Sequence, residues 1–278
     1  ASGPAEGGSG MLKDITLGQY FPGNSIAHKL DPRTKILLVT LYIIALFSAK
    51  GWMGYAVMAV TLAACVKVSH VGLRALVRGL KPLVFIIAFT GILNMFFTPD
   101  THYLWEWGIL RVSVKGIENA LFMVIRIMLL VMGTFLMTYT TSPIRLTDGL
   151  ESLLNPLKKI HVPVHELAMM MSIALRFIPT LIEETDKIMS AQKARGADFD
   201  SGNIFQKAKA LVPILVPLFI SAFRRADELA TAMECRCYHG GEGRTKLHVL
   251  KYQRRDYVAL AGGAVILALV VALRRLGT

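Results

Sequence analysis

The sequence predicts an all-α integral membrane protein with a bundle of about five transmembrane helices and a cytoplasmic module of long helices. Of its 278 residues, 54% are hydrophobic and only 18% are charged, and the mean hydropathy is +0.50. A soluble domain usually carries about 25% charged residues. The formal net charge is nevertheless +12. High hydropathy together with basic charge excludes a disordered chain and argues against a cytosolic enzyme or a free nucleic-acid binder.

Apolar segments long enough to span a bilayer, or nearly so, define the membrane part. They lie at residues 34–49, 51–69, 82–98, 116–140 and 257–273. A spanning helix needs about 20 apolar residues, with about 17 as the lower limit, so the first segment must borrow flanking residues. We therefore predict five spans. Residues 1–10 have the composition of a tag and linker remnant and are set apart from the fold.

Basic residues in the short connections predict the orientation, because lysine and arginine favour the cytoplasmic side. The segment before the first span and the connection between the second and third spans are both basic, whereas the first-to-second connection has only Lys50. The N-terminus is therefore predicted inside. Five spans then place the C-terminus outside, although Arg274 and Arg275 there run against the rule.

A charged insert separates the fourth span from the fifth. Residues 141–256 contain 17 Lys+Arg and 13 Asp+Glu, or 30 of the 50 charged side chains. This gives a membrane domain at 11–140, a cytoplasmic module of long helices at 141–256 and a C-terminal transmembrane helix at 257–278. Long helices are predicted over 164–194, which ends at Gly196, and over 204–237. Both contain proline, which is expected to kink them.

The insert contains an internal repeat. Residues 185–196 align with 226–237, and the aspartate, one alanine and the arginine coincide. Each copy places an arginine, Arg195 or Arg236, in the last turn of a long helix between small residues. Helix C-termini favour cations, and arginine can grip a partner carboxylate with two parallel hydrogen bonds. Two such ends suggest two similar receiving sites on a partner. The alternative is an ordinary helix end with a solvated arginine.

Three motifs together resemble the transmembrane T component (EcfT) of energy-coupling factor (ECF) transporters. They are the Leu-Asp-Pro-Arg-Thr-Lys segment at 30–35, the Leu-Arg-Phe-Ile-Pro segment at 175–179 and the paired Ala-Arg-Gly-type helix ends. The resemblance covers essentially the whole chain after residue 10. The second helix end departs from the pattern, because cysteine flanks its arginine on both sides.

The resemblance implies a non-catalytic scaffold in the bacterial plasma membrane that couples two ATP-binding-cassette ATPases to one or several substrate-binding S components for vitamin or micronutrient uptake. The chain itself would bind no cofactor and no nucleic acid, since ATP and magnesium belong to the ATPases. The implied ATPase-coupling residues are Ala194, Arg195, Gly196, Cys235, Arg236 and Cys237. Candidates for the S-component surface are Met169, Met170, Met171, Leu175, Leu211, Leu215 and Leu218. These side chains could equally pack the two long helices together.

Arg126 lies in the middle of the fourth predicted span, where an ionisable side chain is costly and faces protein or water rather than lipid. It either makes structural hydrogen bonds inside the bundle or contributes to the S-component contact. Glu118, two turns away, is too distant to pair with it.

Other functions have weaker support in the sequence. A dedicated cobalt or nickel T component has the same architecture. A membrane-embedded lipid enzyme would use His161 and His165, but His165-Glu166 lacks the second histidine of a zinc motif, so no metal site is predicted. Cys235 and Cys237 form a single thiol pair with no second pair nearby.

Overall fold

The computed structural model describes residues 21, 23–97, 103–107, 110–197, 199, 204–240 and 249–275. Residues 1–10, predicted to be a tag remnant, lie outside the described residues. In chain order the elements are α1 Ile26–Lys29, α2 Pro32–Ser48, α3 Gly51–Ser69, α4 Leu73–Leu80, α5 Val84–Phe97, β1 Tyr103–Trp107, β2 Leu110–Ser113, α6 Val114–Thr140, α7 Pro143–Leu154, α8 Val164–Ala194, α9 Ile204–Glu234 and α10 Arg254–Arg275. Short 3-10 segments follow α4 and α7.

The predicted helical membrane protein is confirmed. Within the described residues, five helical segments are long and apolar enough to cross a membrane: Gly51–Ser69, Leu73–Phe96, Val114–Thr140, Val164–Ala194 and Arg254–Arg275. Four of them coincide with predicted spans. The first predicted span, 34–49, forms α2, whose 17 residues are at the lower limit for crossing. Helix α8 was not predicted as a span but also has the length and composition to cross. Its apolar run at 167–178 is too short to predict a span, whereas the helix continues through Pro179.

The chain divides into two compact units. Residues 18–153 and 249–278 form the first, called here the membrane unit. Residues 154–248 belong to the second, called here the long-helix unit, whose main elements are α8 and α9. The principal apolar core lies in the membrane unit. Leu46, Met58, Leu76 and Val270 are almost fully buried there, so α2, α3, α4 and α10 share one interior.

The start of α2 is a polar junction inside the membrane unit. Asp31 is the N-cap residue and accepts a hydrogen bond from the backbone N–H of Arg33, while Pro32 takes the first helical position, where its missing N–H costs nothing. Arg33 donates to the backbone oxygen of Leu250 at 3.0 Å and stacks over the Tyr252 ring. The Leu-Asp-Pro-Arg-Thr-Lys motif therefore ties the start of α2 to the segment that leads into α10.

Asp256 is the buried acceptor on the other side of this junction. Only 2% of its surface is exposed. One carboxylate oxygen accepts from the N–H of Asp31 at 2.9 Å, and the other accepts from the N–H of Gln253, just before α10, at 2.8 Å. This second bond is the N-terminal capping interaction in which an acidic third helical residue reaches back to the N-cap amide.

Lys35 connects α2 to the end of α6. Its buried ammonium donates to the backbone oxygen of Thr140 at 2.8 Å and to the Thr141 hydroxyl at 3.0 Å. Backbone carbonyls at a helix C-terminus lack intrahelical partners and carry partial negative charge, so they stabilise a cation. Lys35 therefore closes the last turn of α6.

Helix α6 packs against α2, α3, α4 and α5. Glycines of α6 permit close approaches to α2 and α5. A Cβ at Gly133 would overlap the Tyr42 ring, and the Tyr42 hydroxyl donates to the backbone oxygen of Leu129 at 2.9 Å. A Cβ at Gly116 would lie 2.7 Å from the backbone oxygen of Met95. These glycines allow α2 and α5 to reach the α6 backbone.

A two-stranded antiparallel hairpin, β1 with β2, connects α5 to α6. Glu106 lies opposite Arg111, and Trp107 lies opposite Leu110. The sequence analysis predicts no strand here, although the aromatic residues at 103, 105 and 107 and the apolar–polar alternation at 110–113 are typical of strands.

Replacing Asp256 with alanine is expected to destabilise the membrane unit by about 3 kcal/mol, because two buried N–H donors lose a charged acceptor. Asp256→Asn keeps one acceptor oxygen, so its free energy of unfolding is expected to lie between those of the unchanged protein and of Asp256→Ala. Thermal unfolding of the purified protein in detergent measures the effect. Asp227→Ala, on the exposed surface of α9, is the control; an equal loss in both alanine variants would contradict the role given to Asp256.

Candidate coupling site

The C-terminus of α8 forms a Schellman cap around Arg195. The N–H of Gly196 donates to the backbone oxygen of Lys193 at 2.9 Å, and the N–H of Ala197 donates to that of Gln192 at 3.0 Å. Gly196 has φ = +87°, the left-handed conformation that this cap requires. Arg195 is thereby fixed at the last residue before the chain turns away from the helix axis.

The C-terminus of α9 repeats this cap at the equivalent place in the second copy of the repeat. The N–H of Cys237 donates to the backbone oxygen of Glu234 at 2.8 Å, and the N–H of Tyr238 donates to that of Met233 at 3.1 Å. Cys237, with φ = +54°, occupies the place of Gly196. Two helix ends of unlike sequence therefore have the same backbone geometry, and Arg195 and Arg236 occupy the same position in it.

Both arginines are exposed, as are the small residues beside them. In the described part of the chain, neither guanidinium makes an ion pair or a hydrogen bond. All six residues predicted for ATPase coupling are on the surface: Ala194, Arg195, Gly196, Cys235, Arg236 and Cys237. Their side chains are thus accessible for contact with another protein.

Helices α8 and α9 run antiparallel where they meet. The side chain of Gln192 donates to the backbone oxygen of Pro213 at 3.3 Å, while Glu184, two turns earlier, contacts Arg225. The Pro213 carbonyl is free for this bond because Pro217, four residues on, has no N–H to donate within the helix. One of the two prolines in α9 therefore creates an inter-helix contact.

An ion pair marks the crossing of the two helices. Arg225 Nη2 lies 2.9 Å from Glu184 Oε2, and the side chains keep 34% and 23% of their exposure. Glu184 and Arg225 are separated by the same interval as Arg195 and Arg236, so they occupy equivalent positions in the two repeats. Arg195 and Arg236 each follow this crossing by eleven residues. At 1.5 Å per residue, the two arginines lie at opposite ends of the helix pair, on the order of 30 Å apart.

The residues proposed for the S-component surface fall into two groups. Met170, Met171, Leu211 and Leu215 are exposed, whereas Met169, Leu175 and Leu218 are half-buried. Helix α9 also carries an exposed apolar stripe that includes residues the sequence analysis did not name. Its spacing of three to four residues is typical of one helix face and could have been recognised in the sequence. The additional members are Val212, Val216, Phe219, Ile220 and Phe223.

Arg126 lies in the membrane unit and bonds to Tyr55. Its Nε and Nη2 atoms are 2.9 Å and 2.5 Å from the Tyr55 hydroxyl. No carboxylate in the described part of the chain lies within ion-pair distance, and Glu118 makes no contact with it. The contact is thus a hydrogen bond within the helical bundle, one of the two arrangements expected for this residue.

The histidines considered for catalysis do not form a cluster of potential ligands. His161 is exposed in a left-handed turn, φ = +62°, at the start of the connection to α8, and His165 lies in the first turn of that helix. Among the described residues, His, Cys, Asp and Glu side chains form no group of three that could hold a metal ion.

A multi-pass helical membrane protein with two equivalent arginine-bearing helix ends is the class that the structure defines. Comparison with known proteins identifies the family. Residues 23–247 match the family CbiQ, described as cobalt transport protein. The chain belongs to this family.

Curated relatives extend the match to nearly the whole chain. The energy-coupling factor transporter transmembrane protein EcfT of Acidaminococcus fermentans is 56% identical over 95% of this chain and 97% of the relative. The proteins of the same name from Ruminiclostridium cellulolyticum and Bacillus subtilis are 52% and 47% identical over 94% and 95% of this chain, and over 97% and 100% of their own lengths. The resemblance to the ECF transmembrane component is confirmed.

Substitutions at the two cap positions with a left-handed backbone, Gly196 and Cys237, are expected to change the free energy of unfolding in opposite directions. Cys237→Gly relieves a side-chain clash at positive φ and is expected to stabilise the fold by about 1 kcal/mol, while Gly196→Cys is expected to cost a similar amount. Thermal unfolding of the two purified variants tests this. Cys235→Gly, at a position with no such backbone conformation, is the control and is expected to destabilise. A stabilising Gly196→Cys would contradict the assigned cap.

Proposed function

We propose that this protein is the energy-coupling scaffold of an ECF-type importer, joining two ATPase subunits to one or several S components for the uptake of a vitamin or other micronutrient. The observation that carries the proposal is the pair of equivalent helix ends, each presenting an exposed arginine. In this assignment the chain is not an enzyme and binds no cofactor. ATP and magnesium are used by the partner ATPases.

The docking chemistry follows from the two caps. Each arginine is held at a turn, so its Cα–Cβ bond leaves the helix end in a fixed direction. Its guanidinium can form parallel hydrogen bonds with a partner carboxylate. The neighbouring Ala194, Gly196, Cys235 and Cys237 are small enough for a groove wall to approach the backbone. Two equivalent ends at opposite extremes of one helix pair suit two related ATPase subunits.

Coupling depends on the link between the two ends. Helices α8 and α9 share the Glu184–Arg225 ion pair and the Gln192–Pro213 hydrogen bond, so a force on one end acts on the other helix. When ATP binding brings the ATPases together, the docked ends move relative to each other. The apolar stripe of α9 and Met170 and Met171 of α8 belong to the same two helices, and we assign them the S-component contact. Exposed methionines suit partners of differing shape.

Orientation follows from the basic residues of the short connections. We place the N-terminus and residues 141–256 in the cytoplasm of a bacterial cell, which takes α2 rather than α8 as a membrane span. Both arginines then reach ATPases that use cytoplasmic ATP. The spans lie in the plasma membrane.

Cobalt import through a dedicated S component is a second candidate, favoured by the description of the matched family. The two candidates differ in the S component and not in the coupling site. Mass spectrometry of S components that co-purify from native membranes separates them: several different S components support the shared scaffold, and a single cobalt-binding one supports the dedicated importer. A lipid enzyme would instead turn over lipid alone and lose activity in His165→Ala.

Reversing the charge of Arg195 or Arg236 is expected to weaken ATPase docking by about 2 to 5 kcal/mol, because a desolvated carboxylate on the partner would lose its cation. The double variant is expected to abolish ATP-driven uptake while the protein still inserts in the membrane. Co-purification with the ATPases and uptake by the reconstituted complex are the two measurements.

Arg224→Glu is the matched control, since it makes the same charge change at an exposed site of α9 that lies away from both helix ends. It is expected to leave ATPase recovery unchanged. Normal recovery and normal uptake in the Arg195→Glu, Arg236→Glu double variant would overturn the proposed docking site.

A further inference from the structure

A cleft of about 440 Å³ in the membrane unit is lined by both polar and apolar residues. Its walls come from the connection between α2 and α3, the last turns of α5 and the first half of α6. The polar residues in the wall are Lys50, Tyr55, Asn94, Asn119 and Arg126. Asn119 and Arg126 are seven residues apart and therefore lie on one face of α6.

The described lining of the cleft carries positive charge. Among the described residues, it includes Lys50 and Arg126 and no carboxylate. In the described part of the chain, the hydrogen-bond partner of Arg126 is the Tyr55 hydroxyl, which accepts from two of its nitrogens. The remaining guanidinium N–H groups are left to other acceptors. A cation held in a membrane bundle is costly, and an anion would offset that cost.

The start of α3 adds to the attraction for an anion. Lys50 is its N-cap residue and makes no side-chain capping bond, and Gly51, the first helical residue, lines the cleft. The first N–H groups of a helix lack intrahelical partners and carry partial positive charge, so they bind phosphates readily. By contrast, the start of α6 is capped by the Ser113 hydroxyl.

Apolar side chains beside the cleft indicate that the anion belongs to a lipid. Phe47, Trp52 and Met53 are 55–58% exposed. The Phe47 ring lies 5.8 Å from Arg126 Cζ, and Trp52 packs on Phe122 in the cleft wall. Tryptophan next to lysine is typical of the level of lipid headgroups. A free phosphate ion would leave this apolar surface uncovered, whereas acyl chains would cover it.

We propose that this cleft binds the phosphate group of an anionic phospholipid, with Lys50, Arg126 and the start of α3 as its donors. The site is independent of the coupling-helix ends. It gives Arg126 a ligand-binding role in addition to its bond to Tyr55.

Native mass spectrometry of the full-length protein in neutral detergent tests the proposal. The probes are phosphatidylglycerol, phosphatidylcholine with the same acyl chains, and inorganic phosphate. Phosphatidylglycerol is expected to bind about tenfold more tightly than phosphatidylcholine, and Lys50→Gln and Arg126→Gln are each expected to remove most of that preference. Arg126→Lys is expected to retain part of it.

Lys67→Gln is the matched control, because it removes the same charge from an exposed position at the other end of α3. Since Lys50 is exposed in a helix connection, Lys50→Gln keeps the test decisive if Arg126→Gln fails to fold. Equal binding of the two lipids, or an equal loss of preference in Lys67→Gln, would overturn the site. Displacement of the lipid by equimolar inorganic phosphate would overturn its assignment to a lipid.

Discussion

The Glu184–Arg225 ion pair is the contact on which the long-helix unit depends, because it joins equivalent positions of the two repeats. The two copies of the repeat run antiparallel and meet at equivalent residues. The residues that follow the crossing in one helix therefore have equivalents in the other helix, on the opposite side of the crossing. The arginine at each helix end is then placed by helix geometry alone, eleven residues beyond the crossing. A surface ion pair contributes only about 0.2 to 1 kcal/mol, so its importance is in setting register rather than in stability.

A different constraint governs the membrane unit. Its helices approach closely at glycines. The backbone N–H and C=O groups at helix ends, which lack intrahelical partners, form hydrogen bonds with a few buried polar side chains. Asp256 holds the N–H groups before α2 and α10, and Lys35 closes α6. The Leu-Asp-Pro-Arg-Thr-Lys motif, first noted as a mark of family resemblance, thus has a structural reason: it caps one helix and connects it to two others. Arg126 differs from these residues, because the described part of the chain offers its charge a hydroxyl oxygen and no carboxylate.

Much of this could be predicted from the sequence where the signal is local. The ends of α8 and α9 were found to within three residues, since Gly196 and the internal repeat mark them directly. The hairpin was missed because the alternation in its two strands extends over only five and four residues. At α8 the apolar run alone is too short to indicate a span, whereas the continuous helix is long enough to be a candidate. The partners of Arg126 and Glu184 depend on three-dimensional packing between distant segments, which a single sequence does not reveal. The stripe through Phe219 and Phe223 was readable from its spacing and was overlooked.

The most direct test of the account is a charge swap at the crossing, measured by ATP-driven uptake in the reconstituted complex. Glu184→Arg and Arg225→Glu are each expected to lower uptake, because like charges would then face each other between the helices. The double swap restores the pair and is expected to restore uptake. Glu183→Arg, at the exposed neighbouring position, serves as the control and is expected to transport normally. Full uptake in both single variants, or no recovery in an assembled double variant, would contradict the claim that this crossing couples the two helix ends.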